Sequence, residues 1–219
     1  NPLGGLRGAA QLLEQELDEN SLKEYTQIII NEADRLQNLM NRMLTPHQMP
    51  VYKKTNIHEI LERVRSLILS EFSTDINFIR DYDVSLPEFI MDREKLIQAI
   101  LNIARNGAQA MKLSNQDDMK LSFITRAERQ IVFRKKKHAT AIRIDIVDNG
   151  PGIKNELIDK IFFPLVTGNE NGSGLGLSLA QNLISLHQGM IDCHSVPGKT
   201  VFSIILPIEN NLIPTKEKK

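Results

Sequence analysis

The feature that most constrains the fold is an alternating stretch from Ala141 to Val147 that leads directly into Asp148-Asn149-Gly150-Pro151-Gly152. Isoleucines alternate with charged residues, which predicts a half-buried strand with Asp148 at its end. A carboxylate there can accept a hydrogen bond from an exocyclic amine such as that of adenine, and the two glycines allow a flat base to come close. The same residues also fit a plain Asn-Gly hairpin turn, so this motif alone leaves both interpretations open.

A second motif is Gly172-Ser173-Gly174-Leu175-Gly176-Leu177, which opens an apolar helix. Backbone amides at such a helix start can bind phosphates, helped by the helix dipole. The motif is not a Walker A loop, because no Gly-Lys-Ser/Thr follows. Its glycines alternate and no strand directly precedes them, which argues against a Rossmann site.

A third motif is a predicted helix from Asp92 to Met111, with a buried stripe of Ile97, Ile100, Leu101, Ala104, Ala108 and Met111. Its opposite face is polar and includes Asn102 and Asn106, although asparagine is unfavourable inside a helix. Amide oxygens can ligate Mg²⁺, and Arg105 adds a positive charge for phosphates. For this helix alone, a solvated polar face is the preferred explanation.

The first 45 residues carry two apolar seams at coiled-coil spacing. The first seam consists of Leu3, Leu6, Ala10, Leu13 and Leu17, and the second of Leu22, Tyr25, Ile29, Leu36, Leu39 and Met43, with Glu32 as its polar exception. Ser21 and Glu24 form a capping box between them. An antiparallel hairpin cannot bury both faces alone, which favours a dimeric four-helix bundle. The alternative is a hairpin packed on its own downstream domain.

Beyond a linker marked by Thr45, Pro46 and Pro50, the pattern mixes helices and strands. Helices are predicted at 56–71, 92–111 and 175–187, and strands at 75–80, 119–126, 139–147, 190–195 and 200–206. A hairpin extension at 127–138 carries a basic run, and the chain should fray beyond Pro207. This clustering of elements predicts an α+β fold rather than a doubly wound sheet.

Composition restricts the function classes. Lys+Arg and Asp+Glu number 27 each, which argues against nucleic acid as the main partner. Cys193 is the only cysteine, so no disulfide is expected and a reducing, cytoplasmic compartment fits. No apolar run reaches about 18 residues, and no signal-peptide pattern is present. The chain begins at Asn1 without a methionine, so we expect it to be a fragment.

In this order, the three motifs resemble the GHKL (Bergerat) ATP-binding superfamily of sensor histidine kinases, Hsp90, gyrase B and MutL over residues 51–207. The preceding hairpin favours the histidine kinases. Asn1-Pro2 resembles the end of their phospho-acceptor box, Phe162-Phe163-Pro164 the phenylalanine box and Pro197 to Phe202 the last glycine box. The stretches 1–13, 80–87 and 148–179 resemble the nitrogen-regulation branch of these kinases.

The resemblance implies a dimerisation hairpin at 1–46, a two-layer α/β sandwich at 51–207 and a frayed tail at 208–219. It implies ATP and Mg²⁺ as cofactors, with Asp148 contacting adenine, Asn106 holding Mg²⁺ and a lid from about Ile153 to Ser173. The implied ATP-binding residues are Asn102, Arg105, Asn106, Asp148, Gly150, Gly152, Ile153, Phe162, Thr167, Gly172, Ser173, Gly174, Leu175, Gly176, Leu177 and Thr200.

The acceptor histidine of this family would lie four residues before Asn1, and none of the five histidines present replaces it. Asn1 would then position water for dephosphorylation of the regulator, and His187 would be structural. The implied activity is transfer of the γ-phosphoryl group to that histidine and on to an aspartate of a response regulator. The implied partners are a second copy, an NtrC-like regulator and a PII-like signalling protein.

Two other functions share these motifs. A dimeric scaffold that only binds nucleotide would carry the same motifs. It would differ from the kinase only in turnover, once the acceptor histidine is present. An ATPase of the Hsp90 or MutL kind needs an acidic base on the asparagine helix. Gln98 and Gln109 are uncharged and Glu94 lies about two turns before Asn102, which argues against the ATPase.

Overall fold

The computed structural model describes residues 9–13, 22–23, 25–30, 49–72, 76–133, 136–168 and 173–208. The chain divides into two compact units, Asn1–Met49 and Pro50–Lys219. In the first unit, residues 9–13 and 25–30 are helical. Among its described residues, the buried side chains are Ala10, Thr26 and Ile30, and the exposed large apolar ones are Leu12, Leu13, Leu22, Tyr25, Ile28, Ile29 and Met49. The other seam residues and the turn at 18–20 lie outside the described residues.

The described residues of the second unit form one five-stranded sheet and one small two-stranded sheet. Its elements are β1 (Lys53–Thr55), α1 (Ile57–Phe72), β2 (Ile76–Asp81), β3 (Phe89–Met91), α2 (Arg93–Leu113), β4 (Met119–Phe133), β5 (Lys136–Asp148), α3 (Asn155–Ile158), α4 (Gly176–Leu186), β6 (Met190–Val196) and β7 (Lys199–Pro207). The main sheet has the order β2-β4-β5-β7-β6, and β1 pairs with β3. Within the described residues, β2–β4 is the single parallel pair. The predicted α+β class is confirmed.

The second unit has two layers. Helices α1 and α4 each pack on α2, and all three helices contact the sheet. The sheet face below them is apolar and buried, with Leu121, Phe123, Ile142, Ile144, Ile146, Phe202, Ile204 and Leu206. Full burial of each such side chain contributes about 1.5–3 kcal/mol. The opposite face carries Arg143, which donates to Glu128 at 2.9 Å and to Asp145 at 3.1 Å. This arrangement confirms the predicted two-layer sandwich.

Local signals place the helix ends and the hairpin. The Asn56 side chain accepts from the backbone amide of His58 at 2.9 Å and so caps the start of α1. The Asp92 carboxylate caps α2 in the same way, accepting from the Lys95 amide at 3.1 Å. Strands β4 and β5 pair well beyond the predicted ends, to Phe133 and Lys136, which confirms the hairpin extension at 127–138. None of the helices within the described residues is both long and apolar enough to cross a membrane.

A buried histidine joins three parts of the second unit. The Asp92 amide donates to His187 Nε2 at 2.9 Å, so Nδ1 carries the hydrogen that His187 donates to the Leu183 carbonyl at 2.8 Å. The Tyr52 ring meets the imidazole edge-on, with 5.8 Å between ring centroids, and its hydroxyl donates to the Leu186 carbonyl at 2.9 Å. His187 therefore links the start of the unit, the start of α2 and the end of α4, which confirms its predicted structural role.

We predict that His187 makes stability depend on pH. Burial lowers the pKa of His187, and the Leu183 carbonyl offsets this only in part. The folded pKa is thus below the unfolded value of about 6.5, so the neutral form stabilises the fold fully above that value. As pH falls further, the unfolded chain takes up a proton that the folded chain resists, and the free energy of unfolding falls.

Replacing His187 with Gln should cost about 1–3 kcal/mol at pH 7.5, since buried hydrogen bonds are lost. The difference between wild type and variant should shrink at pH 5.5, as measured by urea denaturation. His194→Gln, at an exposed position on β6, is the matched control. A pH-independent difference between wild type and His187→Gln would contradict the prediction.

Candidate functional site

Asp148 ends β5 as a buried carboxylate, only 5% exposed. Its Oδ1 accepts from the Gly150 amide at 3.0 Å. Burial raises the pKa of Asp148, and the Gly150 amide lowers it by a smaller amount. A donor that reached this carboxylate would replace part of the lost hydration, so the group is suited to recognise a neutral amine on a ligand.

Gly107 of α2 faces this carboxylate and was missed by the sequence analysis. A Cβ built at Gly107 would lie 2.9 Å from Asp148 Oδ2. On the other side, a Cβ at Gly150 would lie 2.9 Å from Asp148 Oδ1 and 3.3 Å from the Met111 side chain. The helix and the loop after β5 therefore close tightly around Asp148. The one available signal was a glycine inside a long helix, where it is unfavourable without a packing reason.

Gly152 and Thr200 connect the loop after β5 to the hairpin of β6 and β7. Gly152 has φ +84°, and a Cβ there would lie 3.0 Å from the backbone of Val196. The Gly198 amide donates to the Gly150 carbonyl at 2.9 Å. Thr200 is 3% exposed and is the cross-strand partner of Asp148. Asp148 and Thr200 consequently lie side by side on one face of the sheet.

The asparagine helix and the glycine-rich motif also meet. A Cβ at Gly176, the first residue of α4, would lie 3.8 Å from both terminal atoms of the Asn106 amide and 3.9 Å from Asn102 Cβ. Leu175 precedes α4 and supplies no side-chain cap, so the first backbone amides of the helix are not satisfied in that way. Half-buried amide oxygens thus stand next to the positive end of a helix, an arrangement suited to phosphates and a hard cation.

Arg105 is placed differently from the expectation. Its guanidinium donates to the Glu71 carboxylate of α1, at 2.8 Å from Nε and 2.7 Å from Nη2. Both side chains are partly exposed, and the pair turns Arg105 toward α1. The prediction that Arg105 binds phosphates therefore lacks support from this structure. The direction of the charged end of a long side chain depends on its partner in the folded protein. The periodicity of the helix sequence does not identify that partner.

The predicted lid begins at Ile153 and is described to Gly168 and again from Ser173. Phe162 is half-buried and packs edge-on against Phe202 at 6.4 Å, whereas Phe163 is 60% exposed. Thr167 lies within the lid and is exposed, and Ser173 ends the lid. Leu175 and Leu177 follow it, and Leu175 is buried. Gly172 and Asn1 are outside the described residues.

Gly174 fixes the end of the lid. Gly174 has φ +64°, and a Cβ there would lie 2.5 Å from the Leu165 carbonyl carbon. The Leu165 amide donates to the Gly174 carbonyl at 2.9 Å. Leu165 itself has φ 67° and is 66% exposed. The strained Leu165 is therefore held by its hydrogen bond to Gly174, and only glycine fits at the inner position.

Metal binding at this site would depend on oxygen donors. Within the described residues, no group of three or more His, Cys, Asp or Glu side chains could hold a metal ion. The side-chain amides of Asn102 and Asn106, which lie inside α2, make no hydrogen bond to another described residue, so their oxygens are available as ligands. This donor set fits Mg²⁺ that takes most of its oxygens from phosphates and water.

A cavity of about 370 Å³ lies away from these motifs, at the N-terminal end of α2. Lys53, Glu59, Glu88, Asp92 and Arg93 are among the residues that line it. Some of its lining charges are already paired with each other, Lys54 with Glu88 at 3.7 Å and Arg93 with Glu94 at 3.0 Å. The three motifs instead meet on one surface, which carries Asp148, Asn106 and the start of α4 at Gly176. We call it the Asp148 surface and identify it as the candidate site.

We predict that Gly174→Ala loosens the lid. Alanine with this positive φ costs about 1–3 kcal/mol, and its Cβ pushes Leu165 away. The melting temperature should fall, and hydrogen exchange at the Leu165 amide should accelerate, because its bond to the Gly174 carbonyl is lost.

Gly176→Ala is the matched control, because its Cβ would make only ordinary contacts of 3.8 Å and 3.9 Å. Without nucleotide it should retain the wild-type exchange at Leu165. Unchanged exchange at Leu165 in Gly174→Ala would refute this role of Gly174.

Two family models match the chain. Residues 91–210 match "Histidine kinase-, DNA gyrase B-, and HSP90-like ATPase", and residues 1–49 match "His Kinase A (phospho-acceptor) domain". Among curated proteins, the "Sensory histidine kinase/phosphatase NtrB" of Vibrio alginolyticus is 51% identical over 95% of this chain and 59% of that protein. The protein of the same name from Rhizobium leguminosarum bv. phaseoli is 35% identical over 94% of this chain and 55% of its own length.

Solved structures share the fold. Histidine kinase ThkA in complex with response regulator protein TrrA has a TM-score of 0.65 and 24% identity over 96% of this chain and 58% of that chain. Full-length ShkA in complex with AMPPNP has a TM-score of 0.64 and 22% identity over 94% of this chain and 43% of that chain. The chain spans 59% of the length of the Vibrio alginolyticus relative. With more than half of its residues matched by the ATPase model, the chain belongs to the family of histidine kinase-, DNA gyrase B- and HSP90-like ATPases, and among them to the sensor histidine kinases.

Proposed function

We propose that this chain is the ATP-binding and dimerising core of a histidine kinase that acts in nitrogen regulation. The observation that carries the proposal is the placement of a buried carboxylate, Asp148, on the same surface as the uncapped start of α4 and the asparagine face of α2. Asp148 accepts a hydrogen bond from the adenine amine. Asn106, assisted by Asn102, holds Mg²⁺, and the start of α4 at Gly176 receives the phosphates.

The proposed reaction moves the γ-phosphoryl group of ATP to an imidazole nitrogen of a histidine outside residues 1–219, and ADP leaves. The phosphoryl group then passes to an aspartate of a response regulator. Residues of this chain contribute by positioning the nucleotide and excluding water, which are the main protein contributions to phosphoryl transfer. Mg²⁺ supplies charge neutralisation on the triphosphate. The lid from Ile153 to Ser173 closes the site.

The first unit supports a homodimer in this proposal. Four of its described seam residues, Leu13, Leu22, Tyr25 and Ile29, remain exposed. A second copy of the hairpin would cover this apolar face in a four-helix bundle. Its match to the phospho-acceptor domain model agrees with such a bundle.

The names of the relatives support the finer part of the proposal. Proteins 35–51% identical to this chain are called kinase/phosphatase NtrB. We therefore include phosphatase activity with Asn1 positioning water, an NtrC-like response regulator, a PII-like signalling protein and a cytoplasmic location. A scaffold without turnover remains the second candidate. The ATPase alternative is disfavoured, because Glu94, an acidic residue of α2, pairs with Arg93 at 3.0 Å far from Asn106.

We predict that Asp148→Ala weakens ADP binding at least about tenfold, because a buried hydrogen bond to a charged group is worth about 1.5–3 kcal/mol. Isothermal titration calorimetry with Mg-ADP measures this, and GDP should bind the wild type more weakly than ADP. Asp145→Asn is the control, since Asp145 lies on the opposite face of the sheet and bonds Arg143 and Ser203. Equal ADP affinity for wild type and Asp148→Ala would remove Asp148 from the adenine role.

Mixed subunits test the kinase and the dimer together. One subunit is residues 1–219, and the other is extended upstream to include the acceptor histidine but carries Asp148→Ala. With radiolabelled ATP and confirmed subunit exchange, we predict label on the extended subunit of the mixture and none when either form is alone. The extended chain with Asp148 intact is the control, since it should become labelled for either direction of transfer. A folded, dimeric control that stays unlabelled would establish the scaffold instead.

A further inference from the structure

Glu71 of α1 holds the guanidinium of Arg105 beside the asparagine face of α2. Arg105 donates to Glu71 Oε2 from Nε at 2.8 Å, and its Nη2 lies 2.7 Å from the same oxygen. The two side chains are 34% and 38% exposed, so the pair is open to solvent and to a ligand. Ion pairs with this exposure are weak, and a competing anion can break them.

Arg105 lies close to the proposed phosphate position. It directly precedes Asn106 in α2 and follows Asn102 by three residues. Residues three apart on a helix are surface neighbours, with about 5–6 Å between their Cβ atoms. A Cβ at Gly176 would lie 3.9 Å from Asn102 Cβ and 3.8 Å from the Asn106 amide. A side chain as long as arginine spans such a separation, so its guanidinium can reach either Glu71 or an anion at the start of α4.

The charge balance of these two helices gives the ion pair a consequence. Helix α4 carries no charged residue, and Arg105 is the only basic residue of α2 between Lys95 and Lys112. A guanidinium binds phosphate oxygens through parallel N–H bonds, and each such bond is strengthened by charge. The cation of α2 best placed for phosphates is therefore the one that Glu71 occupies.

We propose that Glu71 limits the affinity of this surface for nucleotide phosphates by competing with them for Arg105. Without nucleotide, Arg105 pairs with Glu71. With nucleotide, the guanidinium turns to the phosphates and the ion pair is lost, which lowers the net gain from the new contact. The inference deepens the proposed nucleotide role of the same surface and rests on it.

The experiment measures binding of adenosine, Mg-ADP and the non-hydrolysable analogue Mg-AMPPNP to residues 1–219 by isothermal titration calorimetry at fixed ionic strength. Glu71→Gln preserves the size of the side chain and removes its charge. It should bind Mg-ADP and Mg-AMPPNP about two- to fivefold more tightly than the wild type, as for the release of one exposed ion pair. Adenosine, which has no phosphate, should bind both proteins equally. A variant that only damaged the fold would bind more weakly, so a gain separates competition from a structural role.

Arg105→Gln separates competition from simple repulsion between Glu71 and the phosphates. In that background the gain from Glu71→Gln should shrink or vanish, because no guanidinium is left to release. Glu88→Gln is the matched control, since it removes the same charge and breaks another exposed ion pair, with Lys54 at 3.7 Å, away from the Asp148 surface. It should leave all three affinities unchanged.

Thermal denaturation without nucleotide verifies that each variant is folded, and Glu71→Ala replaces Glu71→Gln if the latter is not. Unchanged affinity for both phosphate-bearing nucleotides, with Asp148→Ala still weakening ADP, would overturn the proposal and leave the ion pair as a tether between α1 and α2. A gain that is as large in the Arg105→Gln background would also overturn it. If the wild type binds no nucleotide, the proposed function fails and the inference fails with it.

Discussion

The burial of the Asp148 carboxylate between α2 and the end of β5 is the contact around which the rest of the site is arranged. Removing a charged group from water is costly unless hydrogen bonds replace its hydration. In the described structure only the Gly150 amide does so, and the pKa of Asp148 is raised accordingly. The close approach of Gly107 leaves little room on the α2 side. A ligand amine that supplied a second hydrogen bond would complete the site, so affinity and specificity have the same physical origin.

Helices α2 and α4 connect the surroundings of Asp148 to the part of the surface that is proposed to bind phosphates. Helix α2 carries both Gly107, next to Asp148, and Asn106, next to the first residue of α4. At the opposite ends of these helices, His187 bonds the start of α2 to the end of α4. The relative position of α2 and α4 is consequently fixed at both ends, whereas the lid is held mainly through Gly174, Phe162 and Ile153. This division separates a floor held by packed helices from a segment held by fewer contacts. In the proposed function, the floor would contact the base and the segment would cover the phosphates.

Much of this could be predicted from the sequence, because the signals were local. Alternation in β5 and the apolar stripe of α2 both depend on residues close in the chain. Strands β1 and β3, at three residues each, are too short for a periodic signal. The parallel pairing of β2 with β4 joins segments about forty residues apart, and no local pattern encodes it.

The site was predicted only in part, for the same reason. Asp148 and the glycine motifs carry types and spacings that indicate nucleotide chemistry, whereas Thr200 was implied only by the resemblance to the family. Gly107 acts through its close approach to Asp148, a residue distant in the chain, and only the folded chain shows that approach. Arg105 was predicted to bind phosphates, but its guanidinium instead pairs with Glu71 of α1.

A crystal structure of residues 1–219 with Mg²⁺ and a non-hydrolysable ATP analogue tests the central claim most directly. The account predicts the adenine amine at about 3 Å from an Asp148 carboxylate oxygen, the usual length of such a bond. It also predicts the phosphates between Asn106 and the start of α4 at Gly176. A nucleotide bound instead in the cavity lined by Lys53, Glu88 and Arg93, or a base that makes no contact with Asp148, would contradict it.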